Sequence, residues 1–148
     1  MIPAKILFCT DFSENSESAQ RYALDYAKAL SSRLLVLHVV DLWAGVPAYD
    51  EGVYVYVREA IARLEETARA RLEELQKTCS DSIENVTTLC RTGIPAEEIV
   101  RVAEEQEAGL IVMGTHGWTG LKYVLLGSVA DKVLRTAQCP VMVVRAGL

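Results

Sequence analysis

Gly114, Gly117, Gly120 and Gly127, with Ser128 directly after the last, lie between an apolar run, Leu110-Ile111-Val112-Met113, and an amphipathic stretch that starts at Ser128. Glycine carries no Cβ, so the backbone can turn tightly and a ligand can approach the main chain. A helix N-terminus gathers unpaired N–H groups and a partial positive charge. Strand, glycine loop and helix start together describe an anion cradle, and the usual anion in such a cradle is phosphate. Two common phosphate loops are absent: there is no G-x-x-x-x-G-K-[ST] run and no G-x-G-x-x-G. The spacing present is G-x2-G-x9-G-S, from Gly114 through Gly117 to Gly127-Ser128.

Each polar residue near this loop also has a purely structural reading. Ser128 and Asp131 have the S-x-x-D spacing of a capping box, which is compatible with a phosphate contact. Asp11, in Thr10-Asp11-Phe12-Ser13, closes the apolar run Ile6-Leu7-Phe8-Cys9. It can serve as an N-cap with Glu14 three residues on, or meet a ligand at a strand's carboxyl end. His38, inside an apolar run, reads as a packed histidine. His116 lies in the glycine loop, but a lone histidine without an acid or nucleophile partner makes no catalytic site. Lys122, Lys132 and Arg135 are candidates for phosphate contact or for solvent.

The elements that must position these residues are legible from periodicity. Ile6–Cys9 reads as a strand covered on both faces. Ala19, Tyr22, Ala23, Tyr26, Ala27 and Leu30 recur at helical spacing, and Leu34 to Val40 is a second buried strand. This is a βαβ unit, hence a parallel sheet with a right-handed crossover. Residues 41–53 (DLWAGVPAYDEGV) read as a long loop punctuated by Gly45, Pro47 and Gly52. Val57, Ile61, Leu64, Ala68, Leu72 and Leu75 predict a long amphipathic helix with a charged outer face. Val86–Cys90 is a more polar strand, expected at a sheet edge. Pro95, Glu97 and Glu98 suit the first turn of a helix that Gly109 is expected to end. A motif helix from Ser128 to about Ala137 and a last strand, 140–144, close the chain. Five strands alternating with four helices predict a three-layer α/β/α sandwich as one domain over 1–148.

Composition excludes several classes. The formal net charge of −5 over 148 residues leaves no basic excess for nucleic acid or a membrane surface. No apolar run approaches the roughly 18 residues of a membrane span, and the first residues do not read as a signal peptide. Cys9, Cys79, Cys90 and Cys139 show no C-x-x-C pairing and read as free thiols of a cytoplasmic protein.

The chain resembles the universal stress protein family, in its ATP-binding branch. ILFCTDFS (6–13), LHVVD (37–41), GIPAEEIV (93–100), LIVMGTHG (110–117), LLGSVADKVL (125–134) and CPVMVV (139–144) carry the likeness in order and at the family's spacing. The resemblance implies the strand order 3-2-1-4-5, with the ends of strands 1 and 4 flanking one crevice. It implies nucleoside contacts at Cys9, Thr10 and Asp11, an adenine contact at Val39, and Met113 and Gly114 under the nucleotide. Gly117, Gly127, Ser128 and Val129 would surround the ribose and phosphates. Cys9 departs from the proline found there in some nucleotide-binding relatives. The implied ligand is ATP, or ADP or AMP, with Mg²⁺ or Mn²⁺ held mainly through the phosphates. The implied assembly is a homodimer through the C-terminal strand 140–145, since an apolar edge strand needs cover. The family points to a nucleotide-dependent stress-response regulator with an unknown protein partner. Slow ATP hydrolysis or phosphoryl or nucleotidyl transfer at the same site is the alternative, and a nucleotide-free dimeric interaction module is the second. No general base, nucleophile or arginine finger is apparent beside the phosphates.

Overall fold

The computed structural model of the chain describes residues 1–41, 51–115 and 126–145, with backbone only for 51–54. The elements run β1 (Lys5–Cys9), α1 (Glu14–Leu30), β2 (Arg33–Asp41), α2 (Glu51–Ser80), β3 (Val86–Gly93), α3 (Pro95–Glu105), β4 (Leu110–Gly114), α4 (Ser128–Thr136) and β5 (Val141–Val144). All strand pairings are parallel, and the order is β3-β2-β1-β4-β5. β1 pairs Cys9 with Leu37 on one side and with Met113 on the other.

The continuous apolar runs follow from burial on both faces. Successive strand side chains point to opposite sides of a sheet. Leu7, Cys9, Leu35, Leu37, Ile111 and Met113 therefore pack with Ile99, Val102, Ala130 and Val133 of α3 and α4. Ile6, Phe8, Leu34, Val36 and Val112 pack with Ala19, Ala23 and Ala27 of α1 and with Leu72 and Cys79 of α2. Phe8 is fully buried at the centre of that second layer. The polar β3 is an edge strand, as its composition predicts, and β5 forms the opposite edge. None of the described helices is long and apolar enough to cross a membrane.

Besides β3, which runs on to Gly93 rather than ending at Cys90, three boundaries differ from expectation. The segment 41–53 is not loop throughout: β2 continues to Asp41, and α2 begins at Glu51. Gly52 falls in the first helical turn, where few intrahelical bonds depend on it; Trp43, Gly45, Pro47 and Tyr49 lie outside the described residues. β5 starts at Val141 because Pro140 has no N–H to give the ladder; its carbonyl accepts from Ile111 at 3.0 Å.

The third concerns the end of α3. Gly109 does not cap that helix. Glu107 takes the left-handed conformation (φ 54°), and the N–H of Ala108 reaches back to the carbonyl of Ala103 at 2.8 Å. Gly109 is required for a different reason: a Cβ there would sit 2.9 Å from the Cα of Pro3. A glutamate in the left-handed region is strained where glycine is not. Glu107 is also too exposed for its 3.9 Å contact with Lys5 to matter. Glu107→Gly is therefore expected to stabilise the protein by about 0.5–1 kcal/mol, read as a rise in the urea midpoint at unchanged slope.

Candidate functional site

Strand order reverses between β1 and β4, and at their carboxyl ends lies a crevice of about 560 Å³. Such reversals are where open α/β sheets bind ligands. Nine of the ten residues singled out in the sequence line it: Cys9, Thr10 and Asp11 after β1, Val39 on β2, Met113 and Gly114 on β4, and Gly127, Ser128 and Val129 at the start of α4. The tenth, Gly117, lies outside the described residues, as do His116, Gly120 and Lys122. The backbone ties the three walls together. Thr10 N–H donates to Leu37 O at 2.9 Å, Thr115 N–H to Val144 O at 3.0 Å, and Gly127 N–H to Thr115 O at 2.7 Å.

The start of α4 supplies the electropositive wall. Gly127 is its N-cap, with an extended backbone (φ −72°, ψ 157°) and no side-chain cap. Ser128 is already the first helical residue, so the expected Ser128–Asp131 capping box does not form. A capping hydroxyl must come from the extended residue before the helix, and position 127 has none. Asp131 instead pairs with Arg135 at 3.0 Å. The first intrahelical bond runs from Asp131 N–H to Gly127 O. The N–H groups of Ser128, Val129 and Ala130 thus have no intrahelical acceptor, and these three residues line the crevice. Lys132 binds Glu97 of α3 at 2.8 Å, and so joins α3 to α4.

Gly114 has a packing role beside its place in the wall. A Cβ on it would lie 3.0 Å from the carbonyl oxygen of Asn15. The first turn of α1 therefore crosses β4 only because that strand ends in glycine.

The turn from β1 to α1 forms the opposite wall. Asp11 does not cap α1; Ser13 does, its hydroxyl accepting from Ser16 N–H at 3.4 Å. Asp11 Oδ1 accepts from the N–H and hydroxyl of Ser13 at 3.0 and 2.5 Å and so braces the cap from behind. The cap falls two residues later than Asp11 because Phe12 intervenes with a left-handed backbone (φ 61°). Thr10 Oγ1 accepts from Phe12 N–H at 3.0 Å and lies 3.1 Å from the Ser16 hydroxyl.

His38 is half-buried and directed at this turn. Its Nδ1 lies 2.8 Å from the carbonyl oxygen of Thr10. A carbonyl only accepts, so Nδ1 carries the proton. Burial lowers the His38 pKa first; the Thr10 carbonyl and Asp11 oppose the shift, while Arg71 adds to it. Between the unfolded value and the lower folded one, the unfolded chain binds more protons, so stability rises with pH there. The contribution is complete above about pH 6.5 and is lost as pH falls through the folded value. Thermal unfolding followed from about pH 7.5 down to about pH 5 should show this slope, and His38→Asn should flatten it.

Burial, and secondarily Cys139, raises the Cys9 thiol far above its ordinary pKa, so it is no nucleophile. All four cysteines are free. The sequence reading did not single out Phe12, Arg71, Thr115, Pro95 or Ile99, all of which line the crevice. Pro95 opens α3 directly after the N-cap Ile94 and carried a signal of position; Arg71 carried none, being one charge among many on a solvated helix.

A doubly wound parallel sheet, with an uncapped helix start opening on its reversal point, defines the class: an α/β protein with a crevice where such sheets take ligands. Within that class the chain belongs to the universal stress protein family, whose model matches residues 4–145. It is 39% identical to universal stress protein MJ0531 of Methanocaldococcus jannaschii, across 95% of this chain and 81% of that one. It is 35% identical to universal stress protein MJ0577 of the same organism, across 95% and 94% of the two chains. The solved structure of MJ0577 superposes with a TM-score of 0.82 over 98% of this chain and 97% of that one. Universal stress protein UspA of Lactobacillus plantarum, 27% identical, superposes at 0.87 over 96% and 97%. Two structures at 21% identity share the fold. One is a universal stress protein in complex with cAMP (TM-score 0.70, 99% and 100% covered). The other is from Archaeoglobus fulgidus, in complex with dAMP (0.66, 97% and 99%).

Proposed function

We propose that the chain binds an adenine nucleotide, ATP or else ADP or AMP, in this crevice and acts as a nucleotide-dependent regulator in a stress response. The observation that carries this reading is the uncapped start of α4, whose first N–H groups have no intrahelical acceptor and belong to residues that line the crevice at the sheet's reversal point. That is the electrostatic requirement of a phosphate. Val39, Met113, Pro95 and Ile99 supply an apolar wall for a base, and Asp11 stands at the polar end for a ribose hydroxyl. Gly117 belongs to the same proposed set through its place in the motif. The cAMP and dAMP complexes support the reading at the level of the fold, which can hold adenine nucleotides. The described residues contain no cluster of three or more metal-ligating side chains. Mg²⁺ or Mn²⁺ would accordingly be carried in mainly through the phosphates.

The regulatory form is a cytoplasmic homodimer joined through strand 140–145, one domain per chain, read by a protein partner that distinguishes occupied from empty crevice. Its support is the apolar β5 at the sheet edge. Hydrolysis is at most slow, since the groups proposed at the phosphates are amides that stabilise charge rather than bases.

The test is the mass of any small molecule released on denaturing freshly purified protein, followed by ATP titration with Mg²⁺. Released adenine nucleotide or micromolar binding is expected. An empty protein that ignores ATP, ADP and AMP would sink the proposal and leave the interaction module.

A further inference from the structure

The residue after Asp11 is a left-handed phenylalanine, a backbone conformation that bulky side chains rarely adopt. Glycine would make the same turn without strain, so the ring itself must have a use. One face of Phe12 lies against His38, with ring centroids 4.5 Å apart at 31°. The guanidinium of Arg71, from α2, sits 4.4 Å from the Phe12 centroid. Among the described residues Arg71 makes no ion pair. His38 completes the column by donating Nδ1–H to the Thr10 carbonyl. All three residues line the crevice; Phe12 packs with the α1/α2 layer of the core, whereas Val39 packs with the α3/α4 layer.

We propose that Arg71, Phe12 and His38 are positioning residues: a stacked column that ties α2 and β2 to the Thr10–Ser13 turn and holds Thr10 and Asp11 in the geometry that meets the nucleotide. The inference rests on the nucleotide reading of the crevice and adds the part that sets its affinity. Aromatic stacking and cation–π contacts are directional, and here they act on one short turn from two separate elements. Preorganising a binding loop raises affinity by removing the cost of ordering it. The column also gives α2 a route to the site: whatever shifts Arg71 releases Phe12, and with it the turn. Conversely, occupancy of the turn is felt on a helix whose Tyr56 and Leu64 are exposed.

The test uses the whole chain and four variants, Phe12→Gly, Phe12→Tyr, Arg71→Ala and His38→Asn, each shown to be folded by circular dichroism. ATP affinity with Mg²⁺ is measured beside hydrogen exchange of residues 10–13 in nucleotide-free protein. Phe12→Gly keeps the left-handed turn and relieves its strain, so a turn with a merely structural role would leave affinity unchanged. The column predicts a roughly tenfold loss for Phe12→Gly and a smaller one for Arg71→Ala. Phe12→Tyr keeps the stack and should recover most of the affinity that Phe12→Gly loses. His38→Asn keeps a donor for Thr10 but no ring, and should fall between. Exchange of the turn should quicken in Phe12→Gly and Arg71→Ala. Wild-type affinity or unchanged exchange in both of these variants would overturn the positioning role. Wild-type protein that ignores ATP would overturn the nucleotide reading and this inference with it, an outcome told apart by the wild-type titration alone.

Discussion

Gly127→Glu is expected to cost about 100-fold in ATP affinity, about 2.8 kcal/mol, with the fold intact. Position 127 is the N-cap of α4 and lines the crevice beside the first-turn N–H groups, which have no intrahelical acceptor. A glutamate there places a carboxylate in competition with the phosphates for those donors and repels the triphosphate. The backbone accepts the change: φ −72° and ψ 157° are ordinary for any residue, so no left-handed strain arises. Losing glycine at an N-cap costs at most about 1 kcal/mol. Isothermal titration and a urea melt on the same preparation separate the two effects. Affinity within about twofold of wild type would remove the start of α4 from the ligand site.

Val143→Lys should convert the proposed dimer to monomers at micromolar concentration, a loss of about 100-fold or more in association. β5 pairs with β4 on one side and forms the edge of the sheet on the other. Its residues 141–143 are only half-buried, unlike those of β1. In an isologous pair every substitution appears twice, so two lysines would enter one apolar seam. Val143 also packs against the layer of α3 and α4. The lysine therefore costs some fold stability too, and the folded fraction must be established before the mass is measured. Light scattering that still reports a dimer of folded protein would place the contact on another surface.

The sequence carried much of this fold because parallel strands buried on both faces are continuous apolar runs. Ile6–Cys9, Leu34–Leu37 and Leu110–Met113 announce themselves in this way. The glycine spacing, the apolar strand before it and the amphipathic helix after it pointed to an anion cradle, and nine of the residues that the family resemblance named line the crevice. Apart from the limits of β2, β3, α2 and β5, the places where sequence and structure part are caps and turns. S-x-x-D at Ser128 and D-x-x-E at Asp11 both have capping-box spacing, yet neither box forms. A cap depends on where the helical backbone begins, to within one residue, and spacing is blind to that. Gly109 looked like a helix stop because glycine favours such sites; Glu107 holds the left-handed position instead, and Gly109 answers to Pro3, at the far end of the sequence.

The residue types thus determined the layers, the strand character and the motif that faces the crevice, since each follows from local periodicity and from backbone chemistry. Three things had to wait for the packed chain: the uncapped state of α4, the close crossing of Asn15 over Gly114, and the column Arg71–Phe12–His38. Arg71 and Phe12 belong to different elements, and nothing in either's neighbours marks it. A contact between distant side chains is fixed by how helices and sheet dock, a sum of many small packing energies that no short window of sequence contains.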